Sequence, residues 1–261
     1  MTRIIVNSTA ASGHPANYRT PSLSTDSLVR SGCSTTDPYL LSGGAPALVR
    51  AAMSVETGYN IAKSTIPGSS MYYRSQNVPG SGQPNPWTSM SGYSALIIAD
   101  NPNMSTWAYT PGHVVAWAQK AWAVEAEFLI WNPQAYGLNN GFTRQQILDY
   151  YDLQITRHEA WQDEVNSQLP ADQKFCRLFP GANIYLSIMQ DQIDGNAPTT
   201  TWYDDLYLTD DGIHMGDIGG YISSMVIASC VWGIDPFDLP DTCGTLDSGN
   251  PFTDANYIKG K

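Results

Sequence analysis

Short apolar runs in this chain alternate with longer segments of helical period, the pattern of an α/β fold in which parallel strands are joined by crossover helices. Two more observations agree. The 261 residues suffice for one sizeable α/β domain, read here as 1–261 without a second unit. Two long stretches rich in Ser, Gly, Pro, Tyr and Asn, about 9–43 and 69–93, also interrupt the rhythm after the first two strands. Loops there emerge at the carboxyl ends of parallel strands, where open α/β sheets place their ligands.

In chain order, the expected strands are Arg3 to Val6, Tyr59 to Ala62, Ala95 to Ala99, Glu127 to Trp131 and Phe175 to Phe179, each a short apolar run bounded by turn residues. Helical patterns fill the intervals at Ala45 to Thr57, Gly112 to Ala126, Thr143 to Gln168 and Ala182 to Ile193. A last helix, Gly216 to Trp232, is rich in small and apolar residues.

The formal net charge of -11 argues against nucleic acid and anionic membrane surfaces, both of which require a basic footprint. A small-molecule ligand, neutral or cationic, fits better. No apolar run reaches the length of a membrane span. Met1 precedes the strand-like RIIV almost at once, so the chain reads either as cytosolic or as one whose leader has been removed, with an extracellular or periplasmic location in the second case. The cysteines are Cys33, Cys176, Cys230 and Cys243, without CxxC or Cys/His spacing for zinc. Cys230 and Cys243 flank a Pro-rich segment and would close a disulfide in an oxidising compartment; buried free thiols are the alternative.

Chemistry concentrates in "LYLTDDGIHMGDIGGY". His214 follows Asp211 by three residues in a Gly-containing loop just before a helix, so a carboxylate can hold the imidazole by one nitrogen and leave the other as general base. An Asp/Gly turn with a helix-capping histidine is the plainer reading. A base needs a nucleophile, and the first expected strand ends in "IIVNSTAASG", which places Ser8 at a strand's carboxyl end. Ser8 alone is equally a turn residue, and Ser12 is its competitor. His14 has no carboxylate spaced to orient it, His113 and His158 fall in helical segments, and "GYSAL" lacks the second glycine that would make Ser94 a nucleophile elbow.

Taken together, the serine after strand one, "TIPGSS" after strand two, "IIADNPN" after strand three and "LTDDGIHMGDIGGYISSMV" near the end resemble the SGNH (GDSL-type) hydrolases in order and spacing. The resemblance implies a flavodoxin-like three-layer α/β/α sandwich on a five-stranded parallel sheet. It also implies a Ser8, Asp211 and His214 triad and an oxyanion hole of the Ser8 N–H, the Gly68 N–H and the Asn101 side chain, with Asn103 in reserve. No metal or organic cofactor is implied. Two blocks depart from the pattern: the first reads VNST where the family has G-D-S, and the third reads A-D-N-P where it has G-x-N-D.

The expected activity is a serine esterase cleaving short acyl esters, acetyl above all, from a carbohydrate through an acyl-enzyme. A lipase or thioesterase of the same family, or an inactive carbohydrate-binding protein on the same fold, are the alternatives. Tyr72, Tyr73 and Trp87, in the second loop, are candidate substrate-binding rings, since aromatic faces suit sugars. Their other reading is that they pin down a long loop.

Overall fold

The structure of the protein, a computed structural model, describes residues 27–36, 44–100, 110–131, 141–168, 176–197, 214–241 and 255–261. Five parallel strands, β1 (Leu28–Gly32), β2 (Ile61–Thr65), β3 (Ala95–Ile98), β4 (Glu127–Trp131) and β5 (Arg177–Phe179), form one sheet in the order β2-β1-β3-β4-β5. This is the doubly wound, flavodoxin-like order. The chain turns one way from β1 to β2 and the other way from β3 onward. Its topological switch point, where such sheets open a crevice, therefore lies at the carboxyl ends of β1 and β3.

Strand composition explains why helices cover both faces. Leu28, Ala95, Ile97, Leu129 and Trp131 enter one buried core, while Val29, Leu96, Ile98, Phe128 and Ile130 enter the other. Successive residues point to opposite faces, so a strand apolar on both must be covered twice. On the first face lie α1 (Ala45–Met53), α5 (Gly181–Ile193) and α6 (Asp217–Trp232); on the second lie α2 (Met71–Gln76) and α3 (Thr110–Trp122). The long α4 (Arg144–Ser167) serves both. Its Ile147 and Tyr151 join the first core, and its Trp161 and Val165 the second. A short α7 (Ala255–Lys259) closes the described chain, packing Ile258 into the first core. No helix among the described residues is long and apolar enough to cross a membrane.

The expected strand Arg3 to Val6 lies outside the described residues, and β1, an inner strand between β2 and β3, lies inside the stretch expected to be an irregular loop. Its sequence, LVRSG, has only two apolar residues. Arg30 is nevertheless fully buried there, its Nη2 donating to Thr65 Oγ1 on β2 at 2.6 Å. Within the second expected loop, Met71–Gln76 is helical, with Ser70 Oγ accepting from the Tyr73 N–H at 3.2 Å as its N-cap. Elsewhere β4 has the expected bounds. The helix expected over Thr143 to Gln168 runs Arg144–Ser167, with those two residues as its caps. The helix expected to reach Thr57 stops at Met53, because Ser54 turns left-handed at φ 54° and its N–H returns to Ala51.

Candidate active site

The chain leaves β1 at Gly32 and passes at once into a 3-10 turn, Ser34–Thr36. That turn puts the Ser34 side chain at the carboxyl edge of the sheet, beside the switch point. Cys33, which precedes it, is buried, with its Sγ 3.0 Å from Thr35 Oγ1. Pointing the thiol inward leaves the half-buried Ser34 to face outward.

His214 meets that hydroxyl, with its Nε2 3.0 Å from Ser34 Oγ, across 180 residues of chain. The histidine is fixed by the residues on its carboxyl side. Met215 is buried in the first core, and Tyr185 of α5 donates to the Gly219 carbonyl at 2.8 Å while its oxygen lies 2.6 Å from Ser223 Oγ. These contacts hold the first turns of α6 against α5. Gly216 caps α6 and accepts from the Gly220 N–H at 2.8 Å. The imidazole is therefore presented from a rigid helix entry.

The loop after β2 runs alongside the loop after β1, since the Ile66 N–H donates to the Gly32 carbonyl at 3.2 Å. Gly68 sits in its turn at φ +66°, exposed, and a Cβ there would meet nothing within 4 Å. The glycine is thus required by its left-handed backbone, and the space above it is open. Asp100, buried just after β3, accepts from the Met71 N–H at 2.7 Å and so anchors the start of α2 to the end of β3.

Beneath these loops lies a buried cation. The guanidinium of Arg74 donates from Nε to Ser31 Oγ at 3.0 Å and from Nη1 to the Ser69 carbonyl at 2.9 Å and Ser69 Oγ at 3.3 Å. Its Nη2 donates to the Ala99 carbonyl. Burial pulls its pKa down from the usual arginine value, and the negative charge of the nearby Asp100 opposes that pull.

Of the residues expected from sequence, His214 and Gly68 stand at this edge. Ser8, Asp211, Asn101 and Asn103 lie outside the described residues, as do Ser12 and His14. Among the described residues, the hydroxyl at the histidine is that of Ser34, which follows β1. The signal that finds it is the run Gly32-Cys33-Ser34, a glycine and a serine spaced as in the G-D-S block. Arg74 escapes a reading of the sequence as well, since a single arginine in a Tyr- and Ser-rich stretch carries no spacing signature. Ser94 is excluded by position: its N–H and Oγ bond the Ser27 carbonyl at the opposite, amino-terminal edge of the sheet.

The aromatic candidates divide. Tyr72 and Tyr73 are 48% and 49% exposed on α2, and the Tyr72 ring lies 4.7 Å from that of His113. Trp87 is engaged elsewhere, edge-on to buried Trp117 at 4.9 Å with the Lys120 ammonium over its ring. It pins the loop to α3. His158 is buried within α4, its Nδ1–H donating to the Gln154 carbonyl at 2.7 Å. Cys33, Cys176 and Cys230 are free thiols in this structure, and Cys243 lies outside the described residues. Burial pushes the Cys230 thiol up to about 12, consistent with its packing against the first core.

No family model matches this chain, and no curated protein matches it. Among solved structures, a protein from Slackia heliotrinireducens described as "a putative SGNH hydrolase" is similar to it, with a TM-score of 0.48 and 15% identity over 78% of this chain and 98% of that one.

Proposed function

We propose that the protein is an SGNH-type serine esterase in which Ser34 is the nucleophile and His214 the general base. The observation that carries this reading is the 3.0 Å approach of His214 Nε2 to Ser34 Oγ at the switch point of the sheet. A serine hydroxyl is inert at its own pKa and gains nucleophilicity only with a base within hydrogen-bond reach. With Nε2 unprotonated, the Ser34 hydroxyl donates to it. Gly32-Cys33-Ser34 also restores the glycine-x-serine of the family's first block, which VNST around Ser8 lacks.

In the proposed cycle Ser34 Oγ attacks the ester carbonyl as its proton passes to His214. The resulting oxyanion is met by the backbone N–H groups of Ser34 and Gly68 and by the Asn101 amide. Each donor of this kind contributes about 3 kcal/mol to transition-state stability. His214 then protonates the leaving alcohol. Water, deprotonated by the same imidazole, cleaves the acyl-enzyme and returns the proton to Ser34. Asp211, three residues before the histidine, is proposed to orient its other ring nitrogen.

A short acyl group on a carbohydrate remains the proposed substrate class. The acidic chain disfavours polyanions, and the exposed Tyr72 and Tyr73 rings come directly after the Gly68 loop. The test is hydrolysis of p-nitrophenyl acetate, butyrate and octanoate, together with acetate release from acetylated polysaccharide, for wild type, Ser34→Ala, His214→Ala and Ser8→Ala. The expected result is short-chain activity in wild type and Ser8→Ala, with kcat down at least about 1,000-fold in the other two. A Ser34→Ala protein that retained wild-type kcat would overturn the proposal.

A further inference from the structure

One guanidinium touches both segments that supply the proposed backbone oxyanion donors, and the chain just after β3 as well. Arg74 bonds Ser31 Oγ, three residues before Ser34; Ser69, the neighbour of Gly68; and the Ala99 carbonyl, directly after β3. It does so from inside the fold, at 3% exposure. We propose that Arg74 is a positioning residue, which fixes the Ser34 and Gly68 loops relative to each other and to the end of β3, and so sets the geometry of the two backbone oxyanion donors. This inference rests on the esterase reading above.

The chemistry of the group favours this role over general packing. A buried charge is a poor means of gaining stability, because its desolvation is costly and an apolar side chain of similar volume often serves as well. Arginine offers instead a rigid planar fork whose donors leave in fixed directions. Here those directions end on β1, on the loop after β2 and on the chain leaving β3, the elements that meet at the switch point. Backbone bonds also join these segments, Ile66 N–H to the Gly32 carbonyl and Ala99 N–H to the Ser31 carbonyl, with Met71 N–H donating to Asp100, but Arg74 is a side chain whose described bonds reach all three. Oxyanion donors act only when held at hydrogen-bond distance from the developing alkoxide, so a small loss of register between the two donor loops weakens both together. A lysine at this place keeps the charge but not the fork, and cannot reach the same set of acceptors in one plane.

The experiment compares Arg74→Lys and Ser31→Ala with wild type and Ser34→Ala. It measures kcat and KM for p-nitrophenyl acetate, inhibition by a boronic acid that mimics the tetrahedral intermediate, and thermal melting. For Arg74→Lys, kcat is expected to fall about tenfold or more with KM within about twofold, and boronate affinity to fall by the same factor as kcat/KM. Ser31→Ala, which deletes one acceptor and no charge, is expected to show the same split at several-fold size in a protein that melts normally. A folded Arg74→Lys with wild-type kcat, or one whose loss lies in KM alone, overturns the inference. If Arg74→Lys does not fold, Ser31→Ala decides: unchanged kcat and boronate affinity there overturn it equally. Wild type inactive, or Ser34→Ala active, would instead bring down the esterase reading and this inference with it, which separates the two failures.

Discussion

Ser34 faces the crevice because its neighbours face inward. Gly32 ends the strand, buried Cys33 turns its thiol towards Thr35, and the next side chain emerges beside His214. Gly68 is governed by conformation rather than crowding, since its φ is +66° and the position of a Cβ is open. Gly68→Ala is therefore expected to cost about 1 kcal/mol in backbone strain, read from denaturant unfolding. If the backbone relaxes to relieve it, the N–H turns away, and kcat for p-nitrophenyl acetate is expected to fall about tenfold or more. His214 and Gly68 were legible from the sequence because glycine-flanked turns after apolar runs announce themselves. Ser34 was not: Arg30, Ser31 and Gly32 break the apolar run that marks a strand, and the buried guanidinium of Arg30 is compensated by a contact to Thr65 that only tertiary structure supplies.

At the level of the elements, α4 is specified most fully by local sequence. Thr143 Oγ1 accepts from the Gln146 N–H at 3.2 Å while Gln146 Oε1 accepts from the Thr143 N–H at 2.8 Å, a reciprocal capping box. Thr143→Ala is expected to cost about 1 kcal/mol of unfolding free energy, measured by urea titration, without change in activity. The periodicity of α4 was readable for the same reason that it packs well: Ile147, Tyr151, Gln154, His158, Trp161 and Val165 recur at helical spacing along one stripe. By contrast, the six residues of α2 are too few for a period to show. That helix is held by Ser70, by Asp100 and by the Trp117 indole N–H donating to the Met71 carbonyl at 3.2 Å.

The whole molecule carries its own pH signature through the place where α4 spans both cores. His158 is enclosed there, and burial pushes its imidazole from 6.5 down to about 4, partly offset by the bond to Gln154. Unfolded, the same histidine takes up a proton near pH 6.5. Its effect on stability is nil above that pH. As the pH falls from about 6.5 to about 4 the unfolded state gains protons that the native state refuses, and stability declines by about 3 kcal/mol before levelling off. Urea unfolding at pH 7.5 and pH 5 is expected to show about 2 kcal/mol of this loss in wild type and less in His158→Gln; equal losses would rule the residue out as its cause. The sheet was legible from alternating apolar runs, apart from β1, where Arg30 and Ser31 interrupt the run. Strand order and the pairing of distant turns were not, because they depend on which apolar faces meet.

The 180 residues between Ser34 and His214 also set a timetable. All five strands precede the histidine in the chain, so during synthesis the hydroxyl and the sheet that bears it leave the ribosome well before the imidazole does. The nascent chain thus presents the Ser34 hydroxyl without its imidazole partner, and the contact between them forms only when the chain from His214 onward has been made and docked.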